Sequence, residues 1–285
     1  LIADLDVIAT APAQMTGWGY ADLAGKSPAG GDWLLAELVG AEPRDTTAWP
    51  LVQDHLHGWL ARPEALAKGD FDATARLFIG LTAVGFAMEF HESSRPASGA
   101  DHQIAHMWEM EGLSHAGQKV SHGAAVSIGC LTALRLYDWL LARDLTQIDA
   151  PHVPLETLHA DLRAAIDDPQ IAERSVAQTQ AKWVDAATHA DRLARVRADW
   201  PATRAHLRAH LFRAEDMRQM LAAAGAPSAA ADIGITLDHL ERTVRAAAFI
   251  RSRYTILDFL KDVGLFDQAL AAVMHDLRDL AGAAE

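Results

Sequence analysis

The sequence predicts an all-α protein: one multi-helix domain around two buried helices, entered through a short N-terminal strand. Three observations carry that prediction. After Pro12 the chain is dominated by Ala, Leu, Arg, Asp and Glu, and alternating β-branched runs are rare. Breakers punctuate it at Pro28 and Gly30, Glu42-Pro43, Arg62-Pro63, Lys68-Gly69, Arg95-Pro96, Pro151 and Pro154, Gly225 to Pro227, and Gly264. Two segments, Phe71–His91 and His122–Arg143, are apolar nearly all round, the pattern of a helix covered on every side.

The elements follow in order. Leu1-Ile2-Ala3, Leu5, Val7 and Ile8 are strand-like, and Pro12 then signals a helix start. A lone strand needs partners for its backbone groups, so upstream residues are expected to supply them; the alternative is an edge strand or a coil lead-in. Helices are predicted over Pro12–Lys26, Gly31–Val39, Thr47–Leu60, Phe71–His91, Ser98–Glu111 and His122–Arg143. Further helices are predicted over Leu155–Ile166, Gln170–Ala198, Pro201–Phe212, Ala214–Ala224, Ile235–Ile250, Thr255–Val263 and Phe266–Ala281. From Gln170 onward the faces are charged and read as an outer layer. No fixed-period repeat or low-complexity linker divides the chain, though two subdomains could meet near Asp149–Pro154.

The 285 residues carry 25 Lys and Arg against 38 Asp and Glu, a formal net charge of −13. Such an excess argues against nucleic acid and against anionic lipid as partners. The single cysteine, Cys130, allows no internal disulfide and reads as a small core residue. Leu1 to Ala13 has no basic residue and carries Asp4 and Asp6, so it is neither a signal nor a transit peptide. The charge-free stretches Val7–Ala21 and Val120–Leu134 fall short of the ~18 apolar residues of a membrane span. A soluble, cytoplasmic protein is expected.

No dinucleotide fingerprint, P-loop or nucleophile elbow occurs. The informative stretch is Ser94 to Gly123. Ser98 is placed to cap a helix on which His102 and His106 share one face, with Glu109 a turn further along. His122-Gly123 then opens the second apolar helix, aiming the imidazole at its mouth. Two histidines from consecutive helices plus one carboxylate make an open metal site suited to Zn²⁺, Ni²⁺ or Fe²⁺. Spacing leaves the carboxylate open among Asp101, Glu109, Asp22 and Asp32. The pairs His55/His57 and His206/His210 read as surface histidines.

SRPASGADHQIAHMWEM followed by SHGAAVSIGCL resembles the metal-binding segment of the glycerol-1-phosphate dehydrogenases, within the superfamily of iron-containing alcohol dehydrogenases, glycerol dehydrogenases and dehydroquinate synthases. DLDVIATAPAQMTGWGYADLAGK, GDWLLA, AGAPSAAADIGI and RSRYTILDFLKDVGLFD resemble further segments of that family, so the likeness runs through nearly the whole chain. The resemblance implies Asp22, His102 and His122 as ligands of a divalent metal, Zn²⁺ before Ni²⁺ or Fe²⁺. It places His106, Asp101 and Lys26 as catalytic or substrate-facing residues; for Lys26 the alternative is a helix C-terminal cation. It implies hydride transfer between NAD(P)H and a keto-alcohol phosphate such as dihydroxyacetone phosphate, with the metal as Lewis acid. Alternatives are a polyol dehydrogenase, a dehydroquinate-synthase-like enzyme, or a non-enzymatic metal-binding module.

One departure is Ala124-Ala125, where the family carries an acid after His-Gly. The other is the family's α/β nucleotide-binding domain, which this sequence does not contain. On that basis residues 1–10 are expected to be its terminal strand and residues 11–285 the helical metal-binding catalytic domain. An uncovered apolar face and association into a homo-oligomer are expected to accompany its absence.

Overall fold

The structure is a computed structural model that describes residues 4–282. Among these residues the regular structure is helical apart from one two-stranded hairpin. The helices before the hairpin are α1 (Leu5–Ile8), α2 (Ala13–Ala24), α3 (Lys26–Leu38), α4 (Ala48–Gln53), α5 (Leu56–Leu60), α6 (Pro63–Ala67), α7 (Phe71–His91) and α8 (Ala100–Glu111). The hairpin is β1 (Ser114–His115) and β2 (Gln118–Lys119). After it come α9 (His122–Leu141), α10 (Leu155–Ala165), α11 (Pro169–Lys182), α12 (Ala186–His210) and α13 (Ala214–Ala223). A 3₁₀ turn (Ala230–Ile233), α14 (Leu237–Ala247), α15 (Ile256–Asp262) and α16 (Phe266–Gly282) complete the chain.

The all-α class holds, with corrections to individual elements. Leu5–Ile8 is a helical turn and not a strand. The Asp4 carboxylate accepts the amides of Asp6 and Val7 at 3.1 and 3.4 Å, local capping open to a segment with no strand beside it among the described residues. The remainder of the expected strand, Leu1–Ala3, lies outside the described residues. The break expected at Pro28 and Gly30 is absent because Pro28 falls in the first turn of α3, where its missing N–H has no helical acceptor to lose. The predicted helix Thr47–Leu60 is divided into α4 and α5, and α6 begins on Pro63. Pro201 does not start a helix but lies inside the 25-residue α12, which is held by burial of Leu193, Val196, Trp200 and Leu207. The chain breaks earlier, before Asp185, whose carboxylate accepts the Thr188 amide at 2.8 Å. The hairpin turns on Ala116 and Gly117, both at positive φ (50° and 78°), the geometry a two-residue hairpin loop requires.

Only one of the two predicted core helices is the core. α9 runs through the centre with nearly every residue buried. α7 does not: Phe71, Ile79, Phe86 and Phe90 are each more than half exposed. Its all-round apolarity expresses a demand for cover that the described chain meets on one side, through Leu77, Gly80, Val84 and Ala87. The second core helix is α3, of which only Glu37 escapes burial. By length and composition both α7 and α9 could cross a membrane.

Candidate metal centre

Three helices deliver the centre. Asp22 lies in the last turn of α2, His102 in the first turn of α8, and His122 is the first residue of α9. Glycines on α9 bring the other two helices in. A Cβ at Gly123 would collide with the Trp18 carbonyl of α2, and one at Gly129 with the Asp101 carbonyl of α8. Ser121 caps α9 through the Ala124 amide at 3.2 Å, setting the direction in which His122 leaves the helix.

The imidazoles converge on one carboxylate oxygen. Asp22 Oδ1 lies 3.3 Å from His102 Nε2 and 3.6 Å from His122 Nε2. A tetrahedral ion with ligand bonds of ~2.0–2.1 Å separates its ligand atoms by roughly 3.3 Å, so this donor set fits a divalent metal. Both rings are aimed from behind. His102 Nδ1 donates to the buried Asp101 Oδ2 at 2.6 Å, and Asp101 Oδ1 in turn accepts the Gly99 amide at 2.9 Å. His122 Nδ1 donates to Glu109 Oε1 at 2.6 Å. A carboxylate on Nδ1 fixes the tautomer that presents the Nε2 lone pair, the usual outer support of a metal-ligating histidine.

Glu109 serves two rings, since its Oε2 also accepts His106 Nδ1 at 2.7 Å. His106, Glu109 and His122 form a second donor group overlapping the first. His106 stands beside the centre, its ring centroid 6.0 Å from that of His102 and 5.7 Å from that of His122. Burial pushes the His106 imidazole below its ordinary range despite the bond to Glu109.

Lys26 is the first residue of α3, not the end of a helix, and its buried ammonium lies 3.1 Å from Asp22 Oδ1. Burial by itself would raise the Asp22 carboxyl. The Lys26 charge and the neighbouring imidazoles overcome this and hold it far below the usual carboxylate range. The His122 imidazole is raised, first by the Asp22 carboxylate beside it.

Asp32, one of the four carboxylates left open by spacing, lies elsewhere. It is fully buried and accepts the Ala100 amide at 2.6 Å, the Ile256 amide at 2.8 Å and the Tyr137 hydroxyl at 2.6 Å. It therefore pins the starts of α8 and α15 against α9. Gly99, not Ser98, precedes α8; Ser98 and Ser94 instead accept Arg253, whose NH2 lies 2.9 Å from Ser94 Oγ. Arg95 is buried, donating to the carbonyls of Asp32 and Tyr254 at 3.1 and 3.0 Å. These arginines brace the turn before His102, and no local spacing pointed to them. His210 is not a surface residue: its Nε2 is buried without a partner among the described residues.

No protein-family profile matches the chain. Individual curated proteins do. Glycerol-1-phosphate dehydrogenase, NAD(P)+, of Bacillus licheniformis is 32% identical over 145 residues, covering 51% of this chain and 36% of that protein. The protein of the same name from Methanocorpusculum labreanum is 32% identical over 157 residues, covering 54% and 42%. That of Geobacillus stearothermophilus is 26% identical over 267 residues, or 92% of this chain and 57% of the relative.

The chain is a homologue of the glycerol-1-phosphate dehydrogenases. It spans between about a third and three fifths of the length of these relatives. The long alignment to the Geobacillus protein takes the relationship through most of the helical region.

Proposed function

We propose that this chain is the metal-holding helical part of an NAD(P)-dependent oxidoreductase acting on a keto-alcohol phosphate such as dihydroxyacetone phosphate. The supporting observation is the convergence of Asp22, His102 and His122, with a second carboxylate behind each imidazole. Asp22, His102 and His122 would hold a divalent ion, Zn²⁺ before Ni²⁺ or Fe²⁺. Such an ion, when bound, supplies a Lewis acid for the carbonyl and its alkoxide, and NAD(P)H supplies the hydride.

The chain's own residues do the rest. Asp101 and Glu109 hold the two ligand imidazoles in the tautomer with Nε2 unprotonated. Lys26 keeps Asp22 ionised and lowers the negative charge that a phosphorylated substrate meets. His106, donating to Glu109 through Nδ1, presents its Nε2 lone pair to accept a hydrogen bond from a substrate hydroxyl. In this reading residues 11–285 form the metal-bearing domain and NAD(P) is held outside it. The setting is the cytoplasm, with the protein a homo-oligomer; the uncovered side of α7 supports association.

Calorimetric titration of the purified chain with Zn²⁺, Ni²⁺ and Fe²⁺ tests the centre. One ion per chain is expected, with affinity weakened at least about 100-fold in His102→Ala. Uptake that is undiminished in His102→Ala and His122→Ala would overturn the ligand set. Turnover of the whole gene product on phosphorylated ketones, free polyols and the dehydroquinate-synthase substrate tests the reaction. NAD(P)H-dependent reduction of dihydroxyacetone phosphate is expected.

A further inference from the structure

A hollow far along the chain from the metal ligands carries a cation with no direct ion pair among the described residues. It lies between α11, α12 and the α14–α15 region and shares no lining residue with the metal centre. Its volume is about 60 Å³. Almost every polar group in its wall is already paired. Lys182 Nζ contacts Asp258 Oδ1 at 2.6 Å, and Arg192 contacts Asp262 Oδ2 at 2.8 Å. The Tyr254 hydroxyl also donates to Asp262 Oδ2 at 2.8 Å. His152 and His189 are satisfied by the carbonyls of Val184 and Asp262, each at 2.8 Å.

Lys261 is the exception. Among the described residues no carboxylate lies within ion-pair distance of its ammonium and no acceptor takes its protons. Nζ instead stands 3.6 Å over the Phe249 ring and 5.2 Å from that of Phe266. Burial pulls the amine down to about 8, still mostly charged at neutral pH, and the two aromatic faces favour the charged form without neutralising it. The same side chain lines an adjoining, more open hollow of about 390 Å³, and Val153, Leu158 and Phe249 are common to both. One cation without an ion pair therefore lines both a small chamber and a wider one, with apolar side chains common to the two and the carboxylates Asp161 and Asp267 on the wall of the wider one.

We propose that these joined hollows bind a small organic carboxylate, its charged head on Lys261 and its flat apolar body along Phe249, Val153 and Leu158. A monoanion suits the one cation without an ion pair, because Lys182 and Arg192 are held by Asp258 and Asp262, and the carboxylates Asp161 and Asp267 on the wider hollow disfavour a dianion. A phosphate dianion would ask for a second cation or a set of unpaired amides, and the wall offers neither. The apolar surface between the chambers suits a hydrocarbon body, as small-molecule sites generally combine apolar walls with a few polar anchors. The site is independent of the metal centre and of the reaction proposed there.

Calorimetric titration and thermal shift of the full chain with sodium benzoate, acetate and inorganic phosphate test it. Benzoate is expected to bind one per chain, more tightly than acetate or phosphate. Lys261→Met, which keeps length and removes charge, is expected to lose benzoate affinity by at least about tenfold, the scale of one charge-assisted hydrogen bond. Lys261→Arg keeps the charge and is expected to retain most of that affinity while reporting that the chain still folds. Undiminished benzoate binding by Lys261→Met would overturn the site. Lys261-dependent binding of phosphate in preference to benzoate would overturn the carboxylate assignment, and so would absence of benzoate binding to the wild-type chain.

Discussion

α7 and α9 have similar lengths, 21 and 20 residues, and similarly unbroken apolar sequences, yet they occupy opposite environments. α9 is wrapped by α2, α8, α13 and α16, and its small residues admit those neighbours closely. α7 is covered on one side by α2, α4, α5 and α6 and shows the large side chains Ile79, Phe86 and Phe90 on the other. The difference lies in which residue sizes are distributed where. Glycine, alanine and serine alternate with larger side chains along α9, so backbones can approach from several directions. On α7 the bulkiest groups gather on one stripe that no described element reaches. Apolarity states how much surface seeks cover; the placement of small residues states whether the same chain can provide it.

Substitution can break this contrast, most severely at the core helix. Gly129→Leu drives a side chain into the Asp101 carbonyl, and we expect loss of stable folding, with loss of the cooperative melting transition as the readout. Leu134→Ala, at a fully buried α9 position, is expected to destabilise by ~2–5 kcal/mol in urea titration. Acid provides a subtler probe of the other core helix, α3. His210 packs against Gly30 of α3, and burial holds its imidazole down at about 4 against 6.5 for a free one. The unfolded chain therefore takes up this proton first. Stability from the neutral ring is complete above about 6.5 and is lost as pH falls toward 4. His210→Gln should flatten that part of the stability-versus-pH curve. The smallest effect belongs to α7: Phe86→Ser is expected to change stability by no more than about 0.5 kcal/mol and to reduce self-association in sedimentation. A large loss of stability from Phe86→Ser would mean that the stripe is covered after all.

The same contrast explains how much was legible in the sequence. The bounds of α7 could be read directly, because Asp70 caps it through the Ala73 amide at 2.9 Å and its apolar run ends in polar residues, but its exposure could not. His102, His106 and His122 stood out through helical spacing and a helix start. Spacing did not separate their carboxylate partners from one another, and only the family resemblance singled out Asp22. Asp22, Asp32, Asp101 and Glu109 are all carboxylates, and it is three-dimensional packing that makes Asp101 and Glu109 the orienting groups and Asp32 a structural pin. Arg95 and Arg253 were invisible for the same reason, since their acceptors lie about 60 to 160 positions away. Pro28 and Pro201 misled because proline is tolerated in a first turn, and inside a long helix whose other residues are well buried.

The pinning role of Asp32 has a consequence in time. Its carboxylate joins residues 68, 105 and 224 positions further along the chain. Closing loops of that span is slow relative to helix formation, so contacts of this kind are made late in folding. On a ribosome, α2, α8 and α9 all emerge before Ile256, and the first turn of α8 must wait for the C-terminal segment to receive its full set of anchors. His102 is therefore on the page of the sequence early and in its final position last. A nascent chain would present a loose collection of histidines, and selective capture of an ion would be a property of the finished fold.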